Sequence, residues 1–338
     1  MARKPNPLAR ILQNPRGWIP IAAVFHLACF CGCATSARKI APADAIAQAP
    51  APQTLAVFDG PSRAQISWDD ALRRLEQADA VFVGETHDDA SAHRVEHALV
   101  DAFLAAHPKA ALSLEMLERD EQSAVDSYLA HTTSVDEFMT ATNSRNWAGD
   151  GTWLPWYQPM IDCARHRGAR VVAANAPRKY VSQARLDGYE SLAALAAEER
   201  ALFEIDPDLA RDGDWERLRD LMRTMYKERA IEEATEPSEP TDDDVDRIHR
   251  SQRVWDRTMG TSAARAFNDG WAIIHIAGGF HLQERLGTVA QFARLCPTAK
   301  ILVISLQPDD AAQLSEEDVH GADIVIHTHR KASALAHE

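Results

Sequence analysis

Six short apolar runs punctuate the chain, at 80–83, 110–114, 169–174, 271–276, 300–305 and 324–327. Their length and β-branched content predict strands buried inside a sheet. Between most of them the apolar positions change to helical spacing, at 92–106, 118–129 and 155–167, which leaves room for crossover helices. Strands alternating with helices predict an α/β fold: a mostly parallel, doubly wound sheet with helices on both faces.

Upstream, Ser67-Trp68-Asp69-Asp70 opens a further helix with a hydroxyl cap and acids in its first turn. A long segment separates the third and fourth runs. It is helical at 191–204 and 214–230, acidic and Pro-containing at 232–244, and helical again over 243–268. It predicts a helical lid, residues 178–250, inserted into the sheet domain; the acidic stretch has no evident role.

The chain begins differently. Arg3, Lys4, Arg10 and Arg16 precede an apolar run over 18–34 that contains Pro20 and His26. A membrane-spanning helix needs about 20 apolar residues, so this layout predicts a signal peptide. Gly32-Cys33 resembles the end of a bacterial lipobox, with Cys33 as the acylated residue, although Phe30 and Cys31 match poorly; the plainer alternative is an ordinary secretory signal. The expected organisation is therefore 1–33 signal peptide, 34–65 flexible Ala/Pro-rich tether and 66–335 folded domain. The domain is expected outside the cytoplasm, lipid-anchored to the outer membrane and facing the periplasm or the cell surface.

Composition narrows the partners. The chain carries 36 Lys+Arg against 50 Asp+Glu, a formal net charge of −14, and loss of the basic leader makes it more acidic still. That argues against nucleic acid or anionic lipid as partners, so the membrane is expected to be met through the lipid anchor only. Of five cysteines, Cys163 and Cys296 stay in the domain. They either pair in an oxidising compartment or remain two separate thiols.

Chemistry gathers at the strand ends. In an open α/β sheet, ligands bind at the carboxyl ends of parallel strands. Here those ends read Gly84-Glu85-Thr86-His87, Glu115, Asn175 and Gly278-Gly279-Phe280-His281. The sheet would bring Glu85, His87, Glu115, Asn175 and His281 together, with glycines allowing a sharp bend and, where needed, positive φ. Such a set can ligate metal (Glu85, His87 and His281), move protons, or hydrogen-bond a ligand carboxylate. His93 and His97 share a helix face downstream. A loop with Trp147, Trp153, Trp156 and Tyr157 offers flat surfaces for a planar ligand or packs as a satellite core. No zinc-protease, serine-hydrolase or nucleotide-loop signature is present.

These residues also carry a resemblance. Val-Phe-Val-Gly-Glu-Thr-His from Val81, Ser-Leu-Glu-Met-Leu-Glu from Ser113, Ala-Ala-Asn-Ala-Pro-Arg ending at Arg178, the stretch 254–259, and Gly278 to His281 together resemble the ChaN-like haem-binding lipoproteins. The likeness runs from Trp68 to Asp323. It implies a homodimeric lipoprotein that holds haem for iron acquisition beside outer-membrane uptake machinery. The iron would be ligated by a tyrosine (Tyr157 first, Tyr128 or Tyr180 otherwise), with His87, His93, His281, Asn175 and Arg178 lining the haem site. The family is similar to TIKI/TraB proteases and erythromycin-esterase-like proteins. That analogy keeps a hydrolase open, with or without a divalent metal, in which Glu85, His87, Glu115 and His281 are catalytic. One departure stands out: Phe280 falls where family members read Gly-Asn-Gly-His.

Overall fold

The computed structural model describes residues 40–329 apart from 207, 208, 234 and 237; the expected signal peptide, 1–33, with Cys33, lies outside them. In chain order the strands are β1 (Ala56–Asp59), β2 (Gln65–Ile66), β3 (Ala80–Glu85), β4 (Ala110–Glu118), β5 (Arg170–Asn175), β6 (Ala272–Gly278), β7 (Ile301–Gln307) and β8 (Ile324–His327). They form one sheet in the order β2-β1-β8-β7-β3-β6-β4-β5. From β8 to β5 all neighbours are parallel, while β1 and β2 close one edge antiparallel. The six parallel strands are the six apolar runs.

Both faces are covered, because successive residues of a strand point to opposite sides. Val81, Val83, Leu112, Leu114, Ile274 and Ile276 pack in one layer, together with Leu75, Val95, Leu99 and Ile161 of the helices Trp68–Glu76, Ala90–Ala106 and Gln158–Arg167. Phe82, Ala111, Ile273 and Val303 pack on the other side with Met259, Ala263 and Phe292, from the helices Asp242–Asn268 and Gly287–Leu295. The first of these helices starts as its sequence suggests, with Ser67 and Asp70 in a reciprocal capping box.

The segment expected as a tether is in part structural. It contains a helix, Pro42–Gln48, the strand β1 and the first residue of β2, and Val57 and Phe58 are buried. Ala-Val-Phe-Asp is too short for periodicity to register, and its pairing with β8 joins residues at opposite ends of the chain.

Between β5 and β6 lie the helices Arg178–Asp187, Tyr189–Ala193, Ala197–Arg200, Gly213–Glu232 and Asp242–Asn268. Trp215, Leu218, Met222 and Val245 form a small core there, against which Phe280 packs. Buried Arg253 ties the insertion together, reaching Asp214 at 2.9 Å, Asp212 at 3.2 Å and Asp206 at 3.3 Å. Part of the acidic stretch has a local role. Asp242, Asp243 and Asp244 occupy the first turn of a helix capped by Thr241, where negative charge meets the positive end of the helix dipole.

Cys163 and Cys296 are free; the first lies beside Asp101 and the second beside Asn268. Among the described residues no helix is long and apolar enough to cross a membrane.

Candidate functional site

Strand register assembles the site. Glu85, the last residue of β3, pairs with Gly278, the last of β6. Leu114 of β4 pairs with Ile276 of β6, so Glu115 arrives at the same level. β6 returns between β3 and β4, while β7 flanks β3 on its other side; a change of direction of this kind opens a crevice at the strand ends. The glycines serve close approach and not positive φ. A Cβ on Gly278 would lie 2.9 Å from Nε2 of His87, and one on Gly84 would lie 3.1 Å from Cα of Gly279.

Glu85 is the hub. Its Oε1 accepts from Nδ1 of His87 at 2.5 Å and from the Tyr157 hydroxyl at 3.2 Å. Its Oε2 lies 3.3 Å from Nδ1 of His93, which is also 2.9 Å from Oε2 of Glu96. Nε2 of His93 donates to the carbonyl of His87 at 3.0 Å. The side chains of Glu85, His93 and Glu96 are fully buried.

Burial opposes charge throughout this cluster. It raises Glu85 to about 7, with the Glu96 carboxylate adding to it, and raises Glu96 to about 7 as well; it lowers His93. His87 goes the other way. Burial pulls its pKa down, but the carboxylates of Glu85, Glu115 and Glu96 outweigh that and lift it to about 9. The two partners do not mirror each other, because the pairing that charges His87 is overcome at Glu85 by desolvation and by the second buried acid.

A second carboxylate–imidazole pair stands across β6. Oε2 of Glu115 accepts from the Gly278 amide at 2.6 Å, and its Oε1 lies 3.7 Å from Nε2 of His281. Nδ1 of His281 donates to Asp256 at 2.7 Å, and Asp256 accepts from Thr288 at 2.9 Å. Burial opposes ionisation at both Glu115 and His281. It is outweighed: His281 and His87 hold Glu115 below the usual carboxylate range, and Asp256 and Glu115 hold His281 above the usual imidazole range. Deeper still, His275 contacts Ser113 at 2.9 Å and burial drops its pKa to about 4.

The tryptophan loop forms one wall. Trp147 stands edge-on to His87 and Tyr157, with ring centroids 4.7 and 5.6 Å apart, and Trp156 stacks on His93 at 4.6 Å. The Arg178 guanidinium sits 5.9 Å over the Trp147 ring and 3.6 Å from Glu118. Phe280 lies under Arg217 at 4.3 Å and against the small core of the insertion, so it joins the strand-end turn to that insertion.

Several expected residues play other parts. Tyr157 is fully buried and its hydroxyl points inward to Glu85; burial and the nearby carboxylates hold its pKa well above 10. Tyr128 donates to Asp162 at 2.5 Å and Tyr180 to Glu199 at 3.2 Å, so no candidate tyrosine presents a free phenol oxygen at the mouth. Asn175 bridges the Glu115 carbonyl and the Ala176 amide, a structural task. His97 turns to the carbonyl of Trp156 at 2.6 Å. Among the described residues the group suited to a metal is Glu85, His93 and Glu96; the expected trio of Glu85, His87 and His281 is not such a group. Glu96 and Asp256 were not anticipated. Glu96 could have been found from its position three after His93 on a helix, whereas Asp256 carries no signal linking it to His281.

A family model described as haem-binding uptake, Tiki superfamily, ChaN matches residues 71–292. Among solved structures the chain is similar to ChaN of Campylobacter jejuni in a structure of cofacial haem binding, with 18% identity and a TM-score of 0.58 over 81% of this chain and 96% of that one. That likeness shows the fold. A mutant of the erythromycin esterase EreC in its open conformation is more distant, at 14% identity and a TM-score of 0.39 over 75% of this chain and 76% of that one. No curated protein matches the sequence.

Proposed function

Since the chain belongs to the ChaN family of haem-binding uptake proteins in the Tiki superfamily, we propose that haem is its cargo and is taken at the mouth of this site. The observation that carries the reading is His87. It is the most outward imidazole of the cluster, with 14% of its side chain exposed, and its Nδ1 is committed to Glu85. A carboxylate on one ring nitrogen orients a histidine whose other nitrogen serves a metal. Trp147 beside it offers a flat apolar surface, and Arg178, 45% exposed, is a cation for propionates. The iron ligand in this reading is His87 and not Tyr157, whose hydroxyl is held inside by Glu85. Export through the 1–33 leader, lipid attachment at Cys33, a homodimer with facing haems and transfer to an outer-membrane uptake system belong to the same proposal.

Ligation requires His87 to lose its Nε2 proton. With its pKa lifted to about 9, haem affinity rises as pH rises towards 9. The test is a haemin titration followed by visible absorbance at several pH values. Saturable binding that is lost in His87→Ala and kept in Tyr157→Phe supports the reading. The opposite pattern moves the iron to Tyr157.

A second reading, a hydrolase, is favoured by the Glu85 pKa of about 7, which suits a general base near neutrality, with the Glu115–His281 pair opposite. Turnover of an ester or peptide substrate that Glu85→Gln removes while the fold survives would support it; a panel of such substrates left intact would sink it.

A further inference from the structure

Behind His87 the tautomer of His93 is fixed by its surroundings. Nε2 of His93 lies 3.0 Å from the carbonyl oxygen of His87, and a carbonyl only accepts. Nε2 therefore carries the hydrogen, and Nδ1 of the neutral ring presents a lone pair. That lone pair faces Oε2 of Glu96 at 2.9 Å and Oε2 of Glu85 at 3.3 Å. Oε2 of Glu85 and Oε1 of Glu96 have no hydrogen-bond partner although they are buried. With both carboxylates ionised, acceptors converge here without a donor among them, in a place that water does not reach. Such an arrangement is costly unless a positive centre sits between them.

We infer that Glu85, His93 and Glu96 form a buried site for one divalent first-row cation of the class that takes mixed nitrogen and oxygen ligands, such as Zn2+ or Mn2+. One ligand atom from each residue falls within a 4.8 Å cluster. Two carboxylates balance the charge of the ion, and one imidazole completes a donor set typical of such metals. The hydrogen bond from His93 to a backbone carbonyl is the outer contact that aims a ligating imidazole. Glu85 is held from its other side by His87 and Tyr157, so its carboxylate links the ion to the mouth. His93 and Glu96 come from one helix, Ala90–Ala106, and Glu85 from the end of β3, which makes the site a clasp between the two. The proposal does not depend on haem.

The test is metal analysis of the purified full chain, expressed with added Zn2+ and Mn2+, together with the Tm of chelator-treated protein with and without each ion. The expected result is about one ion per chain, a Tm that rises when the ion is restored, and at least a tenfold loss of bound ion in Glu96→Gln. Glu115→Gln, outside the clasp, keeps the ion. If Glu96→Gln does not fold, the Tm response of the wild-type chain decides. Wild-type protein with no bound ion and no Tm response overturns the proposal, as does full retention in a folded Glu96→Gln. Iron that rises and falls with haem absorbance is cargo, and if it is the sole metal found the proposal also fails.

Discussion

Replacing Glu85 by Gln tests the electrostatics at the centre of the site. Burial alone would keep His87 neutral, yet the Glu85 carboxylate at 2.5 Å, helped by Glu115 and Glu96, lifts its pKa from 6.5 to about 9. Each unit corresponds to about 1.4 kcal/mol, so the rise represents about 3 kcal/mol in favour of the imidazolium. The folded pKa lies above the unfolded one. This contribution is therefore complete below pH 6.5 and disappears as pH rises through 9. Glu85 has the same sign, since its own pKa is raised from 4.5 to about 7. With no ion on Glu85, wild-type stability should therefore fall as pH rises from 5 to 9. In Glu85→Gln the main source of the rise is gone while desolvation stays, so His87 should titrate at least about two units lower and the pH dependence of Tm should flatten. NMR titration of the imidazole Cε1–H signals, assigned with His87→Asn, measures the pKa directly. A wild-type value near 6.5, or equal values in the two proteins, would refute the reasoning.

Asp256→Asn should lower the His281 pKa, because the Asp256 carboxylate is the largest influence opposing the effect of burial there. It should also cost about 1–3 kcal/mol in urea unfolding through the buried contacts to His281 and Thr288; an unchanged His281 titration would count against the pairing. Gly278→Ala keeps an allowed backbone, with φ −54°, but sets a Cβ 2.9 Å from Nε2 of His87. Haem affinity should drop by about tenfold or more, which is about 1.4 kcal/mol, with little change in Tm. In Gly260→Ala the new Cβ would meet Cβ of Gln291 at 2.6 Å and the Thr288 carbonyl at 2.9 Å. Overpacking of about 1–3 kcal/mol should outweigh the gain of about 1 kcal/mol in helix propensity, so urea unfolding should shift to lower concentration; a stabilised variant would show that the two helices can move apart.

The parallel strands were legible because a strand covered on both faces must be continuously apolar, and that is a local property of its sequence. The strand-end acids and imidazoles were legible for a related reason: ionisable residues directly after such runs have few other places to go. Thus the sequence places Glu85, His87, Glu115 and His281 at strand ends, and the sheet brings those ends together. Glu96 was within reach of the same reasoning, since His93 and Glu96 are neighbours on a helix face.

What only the tertiary structure decided is pairing and direction. Asp256 reaches His281 across two elements, and β1 finds β8 from the far end of the chain; neither contact leaves a local periodicity. The orientation of Tyr157 is likewise set by neighbours. Packing of Trp147 and Trp153 around its ring aims the hydroxyl inward at Glu85, whereas an aromatic cluster in sequence reads the same whether it faces a ligand or the core. The chain's residues thus specified which groups could do chemistry, because type and periodicity are local. Which nitrogen faces which oxygen, and so which groups are charged, depends on contacts between distant elements and on the water they exclude.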